Sequence, residues 1–309
     1  MSERAARLNW IERARREVRA ALELWVLPFA VAILPYRVGI ALARSMSRMM
    51  PLYTPAADQA ARAFSAVLGS EEASVWRSQY RFQQLIDHAD MYWALTRPRA
   101  FLLRRLHGVP ALPPADRPLI VLSFHYGQGM WLMPWLAAGG RPPRFVSIRL
   151  AREHADSYLA YAYARLRNRT VEAIARKPLI FTGGARREIS SALHEGTVVF
   201  GLVDVPLANA ADNTANATLL DHPVVLPSGL LESVIPGTRA LIVTAHARPD
   251  GMRQVQASEV DAGSLTMQAL ADELSVRILR MPAAWHFWHL WPRFLARAAS
   301  VASAGRGPV

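Results

Sequence analysis

The chain has 309 residues, 52% of them hydrophobic, enough for one large core or two modest ones, which excludes a disordered or fibrous polymer. Its formal net charge of +12 points to polyanionic partners, whether nucleic acid, anionic lipid head groups or an acidic glycolipid. The absence of cysteine excludes disulfides, thiolate catalysis and Cys-ligated zinc or iron–sulfur centres.

Lys177 is the sole lysine, so arginine carries the positive charge, and its guanidinium suits two-pronged contacts with phosphate and carboxylate. Genomic base composition is an equally good source of an Ala-, Arg- and Pro-rich chain.

At the N-terminus Leu8, Ile11, Ala14, Val18, Ala21, Leu22 and Trp25 fall on one helical stripe, with Arg7, Arg13, Arg15, Arg16 and Arg19 around it. This is the pattern of a basic amphipathic helix. An apolar stretch from Leu24 to Tyr36 follows, interrupted by Pro28 and Pro35 and ended by Arg37, and Val38 to Ala43 resumes it. A spanning helix needs about 20 apolar residues, so the segment is borderline. Ala41-Leu42-Ala43 has the small-x-small form of a cleavage site, but the long, partly acidic and Pro-broken region before it argues against a cleaved signal. Residues 1 to 50 are therefore expected to form an uncleaved membrane-associating helical hairpin, with a plain soluble helix pair as the alternative.

Helical periodicity continues through Asp58 to Leu68 and Glu71 to Leu106, where Trp76, Tyr80, Leu85, Met91, Tyr92 and Trp93 are core candidates. A Pro-rich linker, Pro110 to Pro118, closes this helical section of residues 51 to 117. In residues 118 to 309 the pattern alternates. Strands are expected at Leu119 to Ser123, Arg144 to Ile148, Thr197 to Val203 and Arg239 to His246, and helices at Gly129 to Ala138, Glu153 to Arg169, Arg186 to Glu195 and Leu265 to Met281. The expected fold is α/β, with a central mixed or mainly parallel sheet flanked by helices.

The sharpest local feature is the run from Leu119 to Trp131, a buried strand that delivers His125 into a turn containing Gly127 and Gly129. Ligands bind at the carboxyl ends of strands in open α/β sheets, and a neutral imidazole there can take a hydroxyl proton near pH 7. A structural histidine bonded to a loop is the competing reading.

His125 at a strand end, Gly127 two residues on and Trp131 soon after resemble the His-x4-Asp/Glu motif of lysophospholipid-type acyltransferases, particularly the bacterial lipid A lauroyl/myristoyl transferases. Further segments are similar to that family in the same order. A strand ending in Arg149 precedes Ala164-Arg165-Leu166-Arg167-Asn168, like the family's Tyr-Arg and Arg-Leu-Arg stretches. Ile189 to Val205 resembles its helix, turn at Glu195-Gly196, apolar strand and Asp204; Pro227-Ser228-Gly229 stands at a family turn; and Pro282 to His289, followed by Arg293 and Phe294, resembles its C-terminal signature.

The departure is Met130, which stands where the family has Asp or Glu. In the family that carboxylate orients the imidazole and stabilises the imidazolium. A thioether does neither. Three readings follow: another carboxylate, with Asp204 the best placed by motif, reaches His125; the histidine acts alone on an unusual donor or acceptor; or the chain is a lipid-binding relative without transferase activity, Met130 and Gly129 shaping a groove for an acyl chain. The C-terminal segment also departs, because Leu290-Trp291-Pro292 lengthens the gap between His289 and Arg293.

The resemblance implies transfer of an acyl group from acyl carrier protein or acyl-coenzyme A to a hydroxyl of a glycolipid or related lipid acceptor, at the cytoplasmic face of a bacterial inner membrane, with peripheral or single-anchored attachment. It implies His125 as general base, Asp204 as its partner or an acceptor-positioning group, Arg149 and Arg165 as phosphate- or thioester-binding groups, and Gly127 and Met130 as substrate-lining residues, with no cofactor and no metal. His286 and His289 have an i, i+3 spacing open to a metal, without an acidic neighbour in sequence. His88 and Asp90 read as a solvated or capped helical pair. Nucleic-acid binding rests on charge alone, since no zinc finger or ribonucleoprotein motif accompanies it.

Overall fold

A computed structural model describes residues 3–69, 73–152, 155, 157–206 and 213–295. The start of the helix expected from Glu153, the residue Glu71 and the Ala/Gly tail beyond 295 lie outside the described residues.

The chain opens with α1 (Glu3–Ala20), a π-helical turn (Ala21–Val26), α2 (Leu27–Ile33) and α3 (Tyr36–Met49). Pro28 follows the π-helical turn, in helical backbone that continues through Val26 and Leu27, and Pro35 forces Leu34 into an extended conformation that separates α2 from α3. The two helices approach closely at Gly39, where a Cβ would lie 2.3 Å from the Val31 carbonyl oxygen. Val31, Ala32, Ile40 and Ala43 are buried against the rest of the protein. The opposite side stays open, with Trp10, Val18, Val26, Phe29, Ile33 and Val38 exposed. Among the described residues no helix is long and apolar enough to cross a membrane.

After α4 (Thr54–Leu68), α5 (Ala73–Thr96) runs through the middle of the molecule. It ties the N-terminal helices down: the Tyr92 hydroxyl donates to the Leu24 carbonyl at 2.7 Å, and Arg97 caps the end of α2 by donating to the carbonyls of Ala32, Ile33 and Leu34 at 3.2 Å. A short α6 (Arg99–Leu103) leads into the sheet.

The main sheet has seven strands in the order β1-β9-β8-β2-β5-β3-β4, where β1 is Leu106–His107, β2 Leu119–Ser123, β3 Pro143–Ser147, β4 Ile180–Phe181, β5 Val198–Leu202, β8 Arg239–Ala247 and β9 Arg253–Asp261. All pairs are parallel except β8 with β9. Every residue of β2 is buried, as a strand covered on both faces requires. Ile120 and Leu122 face a core built with α4, α9 (Ala185–His194) and α10 (Met267–Arg280), while Leu119 and Val121 face one built with α5, α7 (Leu132–Ala138) and α8 (Tyr158–Ala175). The fold is thus α/β, a mostly parallel mixed sheet between helical layers.

Three strands or pairs were not apparent in the sequence. β9 alternates Gln, Ser and Glu with short apolar residues, a polar pattern for a strand in a sheet interior. β6 (Thr214–Leu219) and β7 (His222–Pro227) form a separate antiparallel hairpin whose two turn residues, Leu220 and Asp221, adopt φ of 50° and 63° without the Asn or Gly such a turn favours. The two-residue strands β1 and β4 are too short for any periodicity.

Candidate active site

Strands β2 and β5 are adjacent and parallel, with Ser123 opposite Leu202. Two residues past each partner stand His125 and Asp204, so strand register alone brings them side by side at the carboxyl edge of the sheet. The His125 backbone N–H donates to both Asp204 carboxylate oxygens at 2.9 Å, and the ring Nδ1 lies 2.9 Å from Oδ1. The Trp285 indole N–H donates to the other oxygen at 3.0 Å. Asp204 is 1% exposed, whereas the His125 side chain keeps 28% of its surface open. With the proton on Nδ1 toward Asp204, Nε2 carries the free lone pair, and it has no hydrogen-bond partner among the described residues. Phe287 stacks on the imidazole at 3.9 Å and 23°, fixing the ring plane.

The loop after His125 is held by backbone. Gly127 adopts φ of 64°, and a Cβ there would lie 2.0 Å from the Ala245 carbonyl oxygen, so only glycine passes. Its N–H donates to the Ala284 carbonyl at 2.7 Å, the Gln128 N–H to Ala245 at 2.5 Å, and the His286 N–H to the His125 carbonyl at 2.8 Å. The His286 ring donates from Nε2 to the Gly127 carbonyl at 2.7 Å, and burial lowers its pKa. The C-terminal segment from Pro282 to Leu290 is thereby a clamp on the His125 loop.

His125 lines a cavity of about 330 Å³. Met130, Met133, Phe145, Val171, Phe200 and Leu202 supply apolar wall. Met130 is 4% exposed, in the 3-10 turn Gly129–Trp131, so the position where the resembled family has a carboxylate faces the same cavity as the histidine. The carboxylate beside the ring is Asp204 instead.

Polar wall comes from α5 and α8. Arg167 donates to both oxygens of Asp87, at 2.7 and 3.0 Å, within the cavity lining. Burial alone would push the Asp87 carboxyl up, but the Arg167 guanidinium holds it well below the usual carboxylate range. The two groups therefore form a fixed, mutually neutralising ion pair in the cavity wall.

No family model matches the chain, and no curated protein does either.

Arg165 and Arg149 do not line the cavity: both are exposed, with guanidinium groups over the rings of Tyr161 at 5.7 Å and Phe181 at 5.0 Å. Arg167, two positions past Arg165 and so on nearly the opposite side of α8, takes the inward place. Asp87 was visible in principle. Gln83, Asp87 and Asp90 recur at i, i+4 and i+7 among the apolar residues of α5, and all three are buried. His88 and Asp90 are not a solvated pair. His88 bonds the Tyr163 hydroxyl at 2.9 Å, and Asp90 forms a fully buried ion pair with Arg253, which also lies over the Trp131 ring at 4.6 Å. His289 and His286 are engaged with backbone carbonyls, and no group of three or more metal-ligating side chains occurs among the described residues.

Chemically, the site holds a histidine with one free nitrogen, a buried carboxylate that fixes its tautomer and balances its protonated form, and a largely apolar cavity beside it. That arrangement suits removal of a proton from a bound hydroxyl.

Proposed function

We propose that the chain is an acyltransferase that moves a fatty acyl group from an acyl thioester, carried by acyl carrier protein or coenzyme A, to a hydroxyl of a glycolipid or related lipid acceptor. The observation that carries the reading is the His125–Asp204 pair, open at Nε2, on the wall of an apolar cavity. The resemblance of the His125 and C-terminal segments to the lipid A late acyltransferases supports it. In the step proposed, Nε2 takes the acceptor hydroxyl proton as the oxygen attacks the thioester carbonyl. The tetrahedral adduct then expels the thiolate, which recovers the proton from the imidazolium, leaving ester and thiol. Asp204 stabilises the imidazolium between these events.

The exposed apolar side of α1 to α3, interleaved with Arg13, Arg15 and Arg19, supports peripheral attachment to anionic lipid at the cytoplasmic face of the inner membrane. No cofactor or metal enters the reaction as proposed, and nucleic acid is no part of it.

The test is transfer of labelled acyl groups from acyl carrier protein and from coenzyme A into lipids extracted from bacterial membranes. Labelled ester from the wild type and none from His125→Ala is the expected result. Equal labelling by both proteins removes His125 as the base, and no labelling from any donor rejects the transferase in favour of an acyl-binding protein on this fold.

A further inference from the structure

A second cleft, of about 780 Å³, opens between α3, the segment ahead of β1 and the turn joining β8 to β9. Arg37, Arg44, Arg104 and Arg105 line it. Arg37, Arg44 and Arg104 form no ion pair among the described residues, and Arg105 stacks on Tyr36 and Phe101 with its guanidinium 4.3 and 3.5 Å from the ring centroids. The one carboxylate in the lining, Asp250, is already paired with Arg248 at 3.0 Å. The cleft thus concentrates uncompensated positive charge in a concave space of the size that small ligands occupy.

Its position follows from topology. Arg37 and Arg44 are seven residues apart, two turns along one face of α3, and Arg48 continues that face. Arg104 and Arg105 precede β1, which starts opposite Arg253 of β9, and Arg253 in turn faces Ala247 at the end of β8. All these points lie on the sheet edge that carries His125. At roughly 4.8 Å per strand, β9 and β1 stand about 10 and 14 Å from β2 along that edge. A smaller cleft shares Arg44 and Pro249 with the first and is bounded by Gln83, whose side chain bonds the buried Gln128 beside Gly127 and Gly129 of the cavity. The apolar part of the large cleft, Tyr36, Ile40, Ala41 and Met252, belongs partly to the helices with the exposed apolar side.

We propose that this cleft is a phosphate-binding site, taking a phosphomonoester or diphosphate group. Arg37, Arg44 and Arg104, free of ion pairs among the described residues, are the donors that fit phosphate oxygens, while Arg105 adds charge with its guanidinium held by the Phe101 carbonyl and ring. The inference stands apart from the acyltransferase reading, because binding is measured without turnover.

The experiment uses the full chain and two probes. Inorganic pyrophosphate is titrated by calorimetry, and phosphatidylcholine vesicles with and without phosphatidic acid are tested by co-sedimentation. Arg44→Ala/Arg104→Ala removes two charges from the cleft; Arg186→Ala/Arg187→Ala removes two exposed charges from α9, and circular dichroism checks folding of each. Saturable binding that weakens at least tenfold in the first variant and less than twofold in the second supports the site. Pyrophosphate binding alone identifies a free phosphate, and phosphatidic acid binding alone a lipid head group. No saturable binding of either probe, or equal loss in both variants, overturns the proposal. Arg37→Gln/Arg44→Gln serves in place of the first variant if that one fails to fold.

Discussion

Asp204 holds His125 at two levels, accepting from its backbone N–H with both carboxylate oxygens and from its ring with one, each at 2.9 Å. The backbone contact fixes where the loop begins, and the ring contact fixes which nitrogen is free. Asp204→Asn keeps the shape but can offer an amide N–H to Nδ1, which reverses the tautomer. The expected result is a fall in acyl transfer of about 10³ to 10⁴-fold, the scale for the equivalent change in a serine-protease triad. Single-turnover rates measured beside thermal melts check it; a rate loss under tenfold in a folded variant makes the contact structural only.

Met130→Glu is expected to lower transfer, because the histidine already has its carboxylate. A glutamate at a position 4% exposed also brings an unpaired charge into an apolar wall. Met130→Leu, which conserves volume, should cost less than about 1.5 kcal/mol and leave transfer near the wild-type rate. Denaturant unfolding and initial rates for the two variants decide the matter, and a gain of activity with Glu would show that Asp204 does not serve the ring.

Asp87 and Arg167 should depend on one another. Removing either leaves its partner as a buried charge, costing about 3 to 5 kcal/mol, with the lower end expected because 32% of the Arg167 side chain stays open. The double variant Asp87→Leu/Arg167→Met should be less destabilised than the sum of the single changes. A double-mutant cycle by urea unfolding measures the coupling, which an additive outcome would set to zero.

Acid should weaken the fold partly through His246. Burial lowers its pKa to about 4, so the folded state resists a proton that the unfolded chain accepts near pH 6.5. Its contribution is complete above that value and is lost as pH falls toward 4, about 2 kcal/mol by pH 5. His246→Gln should shrink the difference in unfolding free energy between pH 7 and pH 5, measured by urea titration, by that amount; an unchanged difference assigns the acid sensitivity elsewhere.

The strands legible in advance were those whose apolar runs are continuous, such as β2, where all five residues are buried. β9 escaped notice because its Gln, Ser and Glu side chains read as loop, although β8 pairs with it along nine residues. At the site, the ordering of motifs offered Asp204 as a partner for His125 in one of three readings, but their contact depends on β2 and β5 being neighbours, a matter of strand order that no local pattern encodes. Arg165 and Arg167 show the limit of helical phase. A motif names a stretch of α8, and only packing against α5 selects the inward arginine.

The clamp from Pro282 to Leu290 bears on how the protein is made. His125 is synthesised well before Trp285 and His286, which close on Asp204 and on the His125 loop. Domains generally fold as units during synthesis. The candidate site therefore stays incomplete until residue 286 has been added, and a chain truncated before residue 285 keeps the residues of all seven strands of the main sheet but leaves the His125 loop without its final support.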